Sequence, residues 1–186
     1  NFRATDSLNN YLKNNNIVAI QGIDTRSLTK MIRIEGAMNG IISSTTLDEN
    51  ILNKKLAKHP SMDGLDLTRI VTCNKPYQWN KNKTYKVAAI DYGIKYNILR
   101  LLEQSECAIK VFPSSVTSKT ILSYKPDGIF LSNGPGDPAA VTYAIETVKD
   151  LLQTKVPIFG ICLGHQILSL ALGAKTFKLK FGHRGC

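Results

Sequence analysis

The sequence has 186 residues, with 24 Lys and Arg against 14 Asp and Glu, for a formal net charge of +10. Hydrophobic residues make up 43% and charged residues 20%, near globular averages, which excludes a disordered tail and supplies a core for one ordinary domain or two small ones. No apolar run approaches the roughly 20 residues that span a bilayer, and the scattered lysines form no aromatic-interleaved basic stripe, so neither a membrane nor a nucleic acid is expected as partner. Four cysteines (Cys73, Cys107, Cys162, Cys186) lie far apart without a Cys-x-x-Cys pair, which argues against a zinc ribbon or a disulfide scaffold, and no metal site is expected. The chain has no initiator Met and stops at Phe181-Gly182-His183-Arg184-Gly185-Cys186; it is expected to be a piece of a longer protein.

In chain order the first stretch predicts helix, helix, strand, helix. Thr5 or Asp6 caps Ser7–Lys13, Asp24 caps Thr25–Glu35 with Gly36 as the stop, Met38–Ser43 has strand character, and Asp48 opens Glu49–Lys58. From His59-Pro60 to Lys83 the sequence carries Pro60, Gly64 and Pro76 among polar residues, with one short apolar run at Leu65–Val71. It reads as a connector.

After Lys83 short apolar runs alternate with amphipathic stretches. Val87–Ile90 precedes a helix over Ile94–Glu103, Ala108–Phe112 one over Ser118–Tyr124, Gly128–Leu131 one over Pro138–Leu152, and Val156–Ile161 one over Leu163–Leu172. Four strand-then-helix units predict a parallel sheet covered on both faces, with ligands beyond the carboxyl ends of the strands, in the loops after Ile90, Leu131 and Ile161.

The loop after Ile161 is the most informative. In Gly160-Ile161-Cys162-Leu163-Gly164-His165-Gln166 the glycines flank Cys162 at minus two and plus two, the spacing of a nucleophile elbow on a strained strand-to-helix turn. Side chains at either glycine would collide with the crowded backbone there. Cys162 would stand at the positive end of the following helix, where a thiolate is favoured. The alternative is a buried structural cysteine at a tight turn. The loop after the preceding strand, Ser132-Asn133-Gly134-Pro135-Gly136-Asp137-Pro138, can aim backbone N–H groups at a developing oxyanion, with the N–H of Leu163 as second donor; alternatively it is a turn with Asp137 as cap and Pro138 at the first helical position. Of three histidines, His59 lies in the connector, His165 is carried along the helix after Cys162, and His183 is near the end. The general base is expected to be missing from this chain.

At these motifs the chain resembles the class I, triad-type glutamine amidotransferases, and more closely the family of glutamine-hydrolysing small subunits of carbamoyl-phosphate synthase. The first likeness rests on Gly160–Gln166 and Asn133–Pro138. The second rests on Gly22-Ile23-Asp24-Thr25-Arg26 with Leu28-Thr29, on Asp91–Arg100 and on Lys180–Gly185. The resemblance implies an α/β chain: an incomplete flavodoxin-like parallel sheet with helices on both faces over 86–186, a linker over 71–85, and over 1–70 part of a smaller α/β N-terminal domain. It implies that Cys162 is the nucleophile attacking the glutamine carboxamide, Leu163 the oxyanion-hole and substrate contact, Gln166 a glutamine-binding residue, and Gly134 and Gly136 glycines lining the glutamine site. The triad His and Glu, and an early Ser that contacts glutamine, match no position here, so this chain alone is expected to be inactive. Ammonia would pass to a large subunit that uses ATP, a metal and bicarbonate to make carbamoyl phosphate for arginine and pyrimidine biosynthesis. No cofactor is expected in this chain. With no basic-then-apolar signal pattern at its start, the chain is expected in the cytoplasm, or in the plastid stroma if plastid-encoded. A class I glutaminase of another synthase and a non-catalytic interaction subunit remain the alternatives. Asp24-Thr25-Arg26 reads equally as a capped helix start or as a contact to the large subunit.

Overall fold

The computed structural model describes residues 4–182. Among the described residues two compact units emerge: residues 4–61 together with 178–182, and Met62–Phe177. Residues His183 and Cys186, singled out in the sequence, lie outside the described residues.

The first unit holds helices α1 (Leu8–Asn14), α2 (Thr25–Glu35) and α3 (Glu49–Lys58). The side chain of Ser7, rather than Thr5 or Asp6, caps α1 by accepting from the N–H of Asn10, while Asp6 accepts from the N–H of Ser7 one residue earlier. Asp24 and Asp48 cap α2 and α3 as expected, each carboxylate taking N–H groups of the first turn that have no partner within the helix. Gly36 closes α2 at φ 99°, and a Cβ there would stand 3.0 Å from the Lys180 carbonyl oxygen. Met38–Ser43 is not a strand. A strand exists only through hydrogen bonds to a neighbouring strand, and among the described residues this unit provides none; the backbone bond nearest this stretch runs from Ala37 N–H to Lys180 O at 2.8 Å.

The second unit is built on a five-stranded sheet: β1 (Tyr77–Gln78), β2 (Tyr85–Asp91), β3 (Cys107–Pro113), β4 (Gly128–Leu131) and β5 (Ile158–Gly160), in the order β1-β3-β2-β4-β5. β2 to β5 run parallel, and β1 lies antiparallel on the β3 edge. The four parallel strands reproduce the first four places of the flavodoxin-like order, which switches direction at β2 and β4. Side-chain alternation divides the core between two faces. Ala88, Ile90, Phe112, Ile129 and Leu131 point to the face covered by α6 (Ser118–Ser123), α7 (Thr142–Leu152) and α8 (Leu163–Ala171); Val87, Ala89, Ile109, Val111 and Phe130 point to that of α5 (Tyr96–Gln104). Burial on both faces is why these strands read as continuous apolar runs.

Two expectations change in detail. Ile94 does not start a helix: Lys95 is extended at φ −74°, ψ 116°, and α5 begins at Tyr96. The run Pro138–Leu152 is not one helix but a 3₁₀ turn, Pro138–Ala140, followed after Val141 (φ −91°, ψ 54°) by α7. The stretch expected as a linker, 71–85, is laid against the sheet. Beyond β1, the Asn80 amide accepts from Ile109 N–H at 2.7 Å and donates to Cys107 O at 2.9 Å, so it satisfies the β3 edge as a further strand residue would. Just before it, Thr68–Val71 forms a short helix, α4.

Candidate active site

Strand register determines which loops meet. Ile90 pairs with Leu131 and Leu131 with Gly160, so Asp91, Ser132 and Ile161 emerge side by side at the carboxyl edge of the sheet. The ladder runs one step further, through Ser132 N–H to Ile90 O and Ile161 N–H to Leu131 O, both at 3.1 Å. The residue after Ile161, just before α8, is Cys162.

Cys162 adopts φ 53° and ψ −113°, a conformation that L residues avoid and that costs on the order of 1–3 kcal/mol. The surroundings impose it. A Cβ on Gly160 would stand 2.6–2.7 Å from the Gly164 carbonyl and His165 N, and one on Gly164 would run into the Leu131 carbonyl on β4. Both flanking positions therefore require glycine for space, as the elbow spacing predicts. Hydrogen bonds from Gly164 N–H to Ser132 O and from Gln166 N–H to Cys162 O, each 3.0 Å, pin the turn to β4 and to α8. Cys162 itself is exposed, which removes the alternative of a buried structural cysteine.

The glycine loop lies against this turn. A Cβ at Gly134 would clash with the Tyr92 carbonyl oxygen and come within 2.9 Å of Leu163 Cδ2, so the loop after β4 is wedged between the loop after β2 and the start of α8. Leu163 is fully buried and is the first residue of α8, a position whose N–H has no acceptor within the helix. The N–H groups of Gly164 and Gln166 are taken; those of Leu163 and His165 have no acceptor among the described residues, and that of Leu163 is the one next to Cys162 in the chain. Gln166 and His165 lie on the exposed side of α8, and among the described residues nothing hydrogen-bonds to Cys162 Sγ. His59 lies in the first unit, its ring against the Pro60 carbonyl. The structure thus brings Cys162, Leu163 and Gly134 together, with Gly136 two residues along the same loop.

Three polar residues not assigned a role from the sequence hold this edge in place. Asp91 ends β2 almost fully buried; one carboxylate oxygen accepts from the N–H groups of Gly93 and Ile94, the other from Cys73 N–H at 2.8 Å. Ser132, also buried, accepts from Tyr92 N–H and donates to Asn133 O. Asn133 bridges back to the β2 loop, accepting from Lys95 N–H and donating to Gly93 O, both at 3.0 Å. For Asp91 and Ser132 the signal in the sequence is a polar residue directly after an apolar run, and Asn133 is the next residue along. Asp91 also acts on its neighbours: burial, then the Asp91 charge, pushes the Cys73 thiol up to about 11. Tyr77 is pushed up to about 12 by the same two causes, and burial followed by Glu106 raises Cys107.

The model of the glutamine amidotransferase class-I family matches residues 88–186, and that of the carbamoyl-phosphate synthase small chain, CPSase domain, matches residues 1–42. Proteins named carbamoyl phosphate synthase small chain are 51% identical in Syntrophotalea carbinolica, 52% in Thermosynechococcus vestitus and 53% in Porphyra purpurea, over 99–100% of this chain. The chain spans 52–53% of the length of these relatives. With its elbow cysteine, its two steric glycines and a family match that covers more than half its residues, the chain belongs to the class-I glutamine amidotransferases.

Proposed function

We propose that this chain is the glutaminase portion of a carbamoyl-phosphate synthase small subunit. The observation that carries the reading is the Cys162 elbow: an exposed cysteine at positive φ on the N-terminus of α8, walled by Gly160 and Gly164 and adjoined by Gly134. In the proposed reaction the Cys162 thiolate attacks the carboxamide carbon of glutamine. The tetrahedral oxyanion is held by the Leu163 N–H and by backbone groups of the Gly134–Gly136 loop, and Gln166 contacts the amino acid. On collapse the nitrogen of the intermediate takes up a proton, the C–N bond breaks to release ammonia, and a thioester remains. Water then hydrolyses the thioester to glutamate and restores the thiol.

The ammonia is proposed to pass to a large subunit that uses ATP and bicarbonate to make carbamoyl phosphate. This chain's own contribution is the thiol, the donors and the loop that orients them. Protonation of the departing ammonia needs an acid beside the thioester, so we expect little steady-state turnover from this 186-residue chain alone.

The test is a glutamine-shaped chloroketone followed by peptide mass spectrometry. We expect one adduct, on Cys162, suppressed by excess glutamine and abolished in Cys162→Ala. Labelling that glutamine does not suppress would overturn the assignment.

A further inference from the structure

Residues Gly64–Cys73 are not a passive connector. We propose that they form a strap that positions the glycine loop of the proposed glutamine site, with Asp137 as the positioning residue through which it acts. This rests on the glutaminase reading for its chemistry but not for its geometry.

The strap makes a contact to the loop after each of the three inner strands. At the β4 loop, Asp137 N–H donates to Leu65 O and Gly64 N–H donates to Asp137 Oδ2, both at 2.9 Å. A Cβ on Gly136 would lie 2.7 Å from Leu65 O and 3.0 Å from Leu67 N, so the loop and the strap run backbone against backbone. At the β3 loop, the Thr72 hydroxyl oxygen accepts from Ser114 N–H at 2.8 Å. At the β2 loop, Cys73 N–H donates to the Asp91 carboxylate, and a Cβ on Gly93 would stand 2.9 Å from Val71 Cγ2. Midway, fully buried Thr68 shares a hydrogen bond of 2.7 Å with the Tyr143 hydroxyl, and the Arg69 guanidinium sits 4.5 Å over the Tyr143 ring. Such a chain of anchors is more than a solvent-borne linker needs.

Asp137 divides its carboxylate between two tasks. Oδ1 caps the 3₁₀ turn by accepting from Ala139 N–H, and Oδ2 takes the Gly64 N–H of the strap. Gly134 and Gly136 carry no side chains with which to anchor themselves. The position of their N–H groups is therefore set by Tyr92 and Leu163 on one side and by the strap on the other.

The division of tasks provides the test. Asp137→Asn keeps an oxygen for the cap but presents an NH₂ to the Gly64 N–H, so the strap bond is lost and the cap retained. Three readings are taken on parent and variant: amide exchange of peptides spanning 63–67 and 133–139, the rate of Cys162 labelling by the glutamine chloroketone, and its rate with iodoacetamide. We expect exchange in both peptides to rise about tenfold, the scale set by a hydrogen bond to a charged group, while β2 and β4 stay protected. Chloroketone labelling should fall about tenfold with the iodoacetamide rate unchanged. Thr68→Val, which loosens the strap away from the loop, should move the same readings in the same direction by less. Unchanged exchange in Asp137→Asn overturns the strap. Raised exchange with an unchanged ratio of the two labelling rates overturns the positioning role. A parent chain that the chloroketone fails to label counts against glutamine as ligand, and the exchange arm still judges the strap.

Discussion

Gly164→Ala separates local propensity from tertiary space more sharply than any other substitution in this chain. Gly164 is the second residue of α8 and does not have positive φ, so by helix propensity alone alanine should stabilise it by about 1 kcal/mol. The structure predicts the opposite sign. The added Cβ would lie 2.6 Å from the Leu131 carbonyl carbon and 2.7 Å from Leu131 Cβ, where ordinary contact starts at 3.4 Å. These are mostly backbone atoms of a central strand that cannot rotate away, so α8 must back off β4 by several tenths of an ångström. Overpacking of this kind costs typically about 1–3 kcal/mol. Because the clash is with backbone, the cost belongs at the upper end of that range, and set against the propensity gain the expected net loss is about 2 kcal/mol, or roughly 8–16 °C in Tm for a unit of about 100 residues. The Leu163 N–H moves with the helix. Because misplacement by about 1 Å can cost a hundredfold in a positioned reaction, chloroketone labelling of Cys162 should fall at least tenfold. Urea unfolding followed by circular dichroism gives the stability; the control is Gly173→Ala, where nothing lies within 4 Å and only φ +90° opposes the change. That control should lose stability modestly and label normally. A Gly164→Ala chain at least as stable as its parent would refute the steric account of the elbow.

Other expectations follow from the same edge of the sheet. At neutral pH iodoacetamide should modify Cys162 well before Cys73 or Cys107, since Cys162 is exposed while burial pushes the other two thiols up, Cys73 to about 11; peptide mapping that found Cys73 reacting as fast would contradict this. The folded Cys73 thiol ionises at higher pH than the unfolded one, so its contribution to stability is intact below about 9 and is lost as pH climbs toward about 11. Cys73→Ala should flatten the decline of urea midpoint across that window, and an unaltered slope would argue against the burial and the Asp91 contact as causes. Asn133→Ala removes both bridges to the β2 loop and should cost about 1–3 kcal/mol while raising amide exchange at Gly93–Lys95; full protection there in Asn133→Ala would show the bridges to be dispensable.

The parts of this molecule that could be read from sequence are those where one residue type answers one local demand. Val87–Ile90 and Gly128–Leu131 are unbroken apolar runs because both faces of the sheet are covered. Gly160 and Gly164 are glycines because backbone occupies the space where a Cβ would go, and so their spacing marked the elbow before any fold was known. Asp24 and Asp48 stand at helix starts because three or four N–H groups there lack partners. Where the demand came from a distant segment, pattern had nothing to register. Met38–Ser43 has the composition of a strand, but a strand is a property of a pair, and no partner is present among the described residues. Gly64–Cys73 has the composition of a connector, and three of its anchors are backbone groups, Leu65 O, Gly64 N–H and Cys73 N–H, which carry no sequence signature at all. The same holds for Asp137. As a cap it is visible from the Pro138 that follows; as the acceptor for a glycine 73 residues earlier it is visible only in the fold. The proposed glutamine site is thus half local and half tertiary: the nucleophile is set by its immediate neighbours, whereas the loop that faces it is held by a segment whose sequence was free to look like nothing in particular.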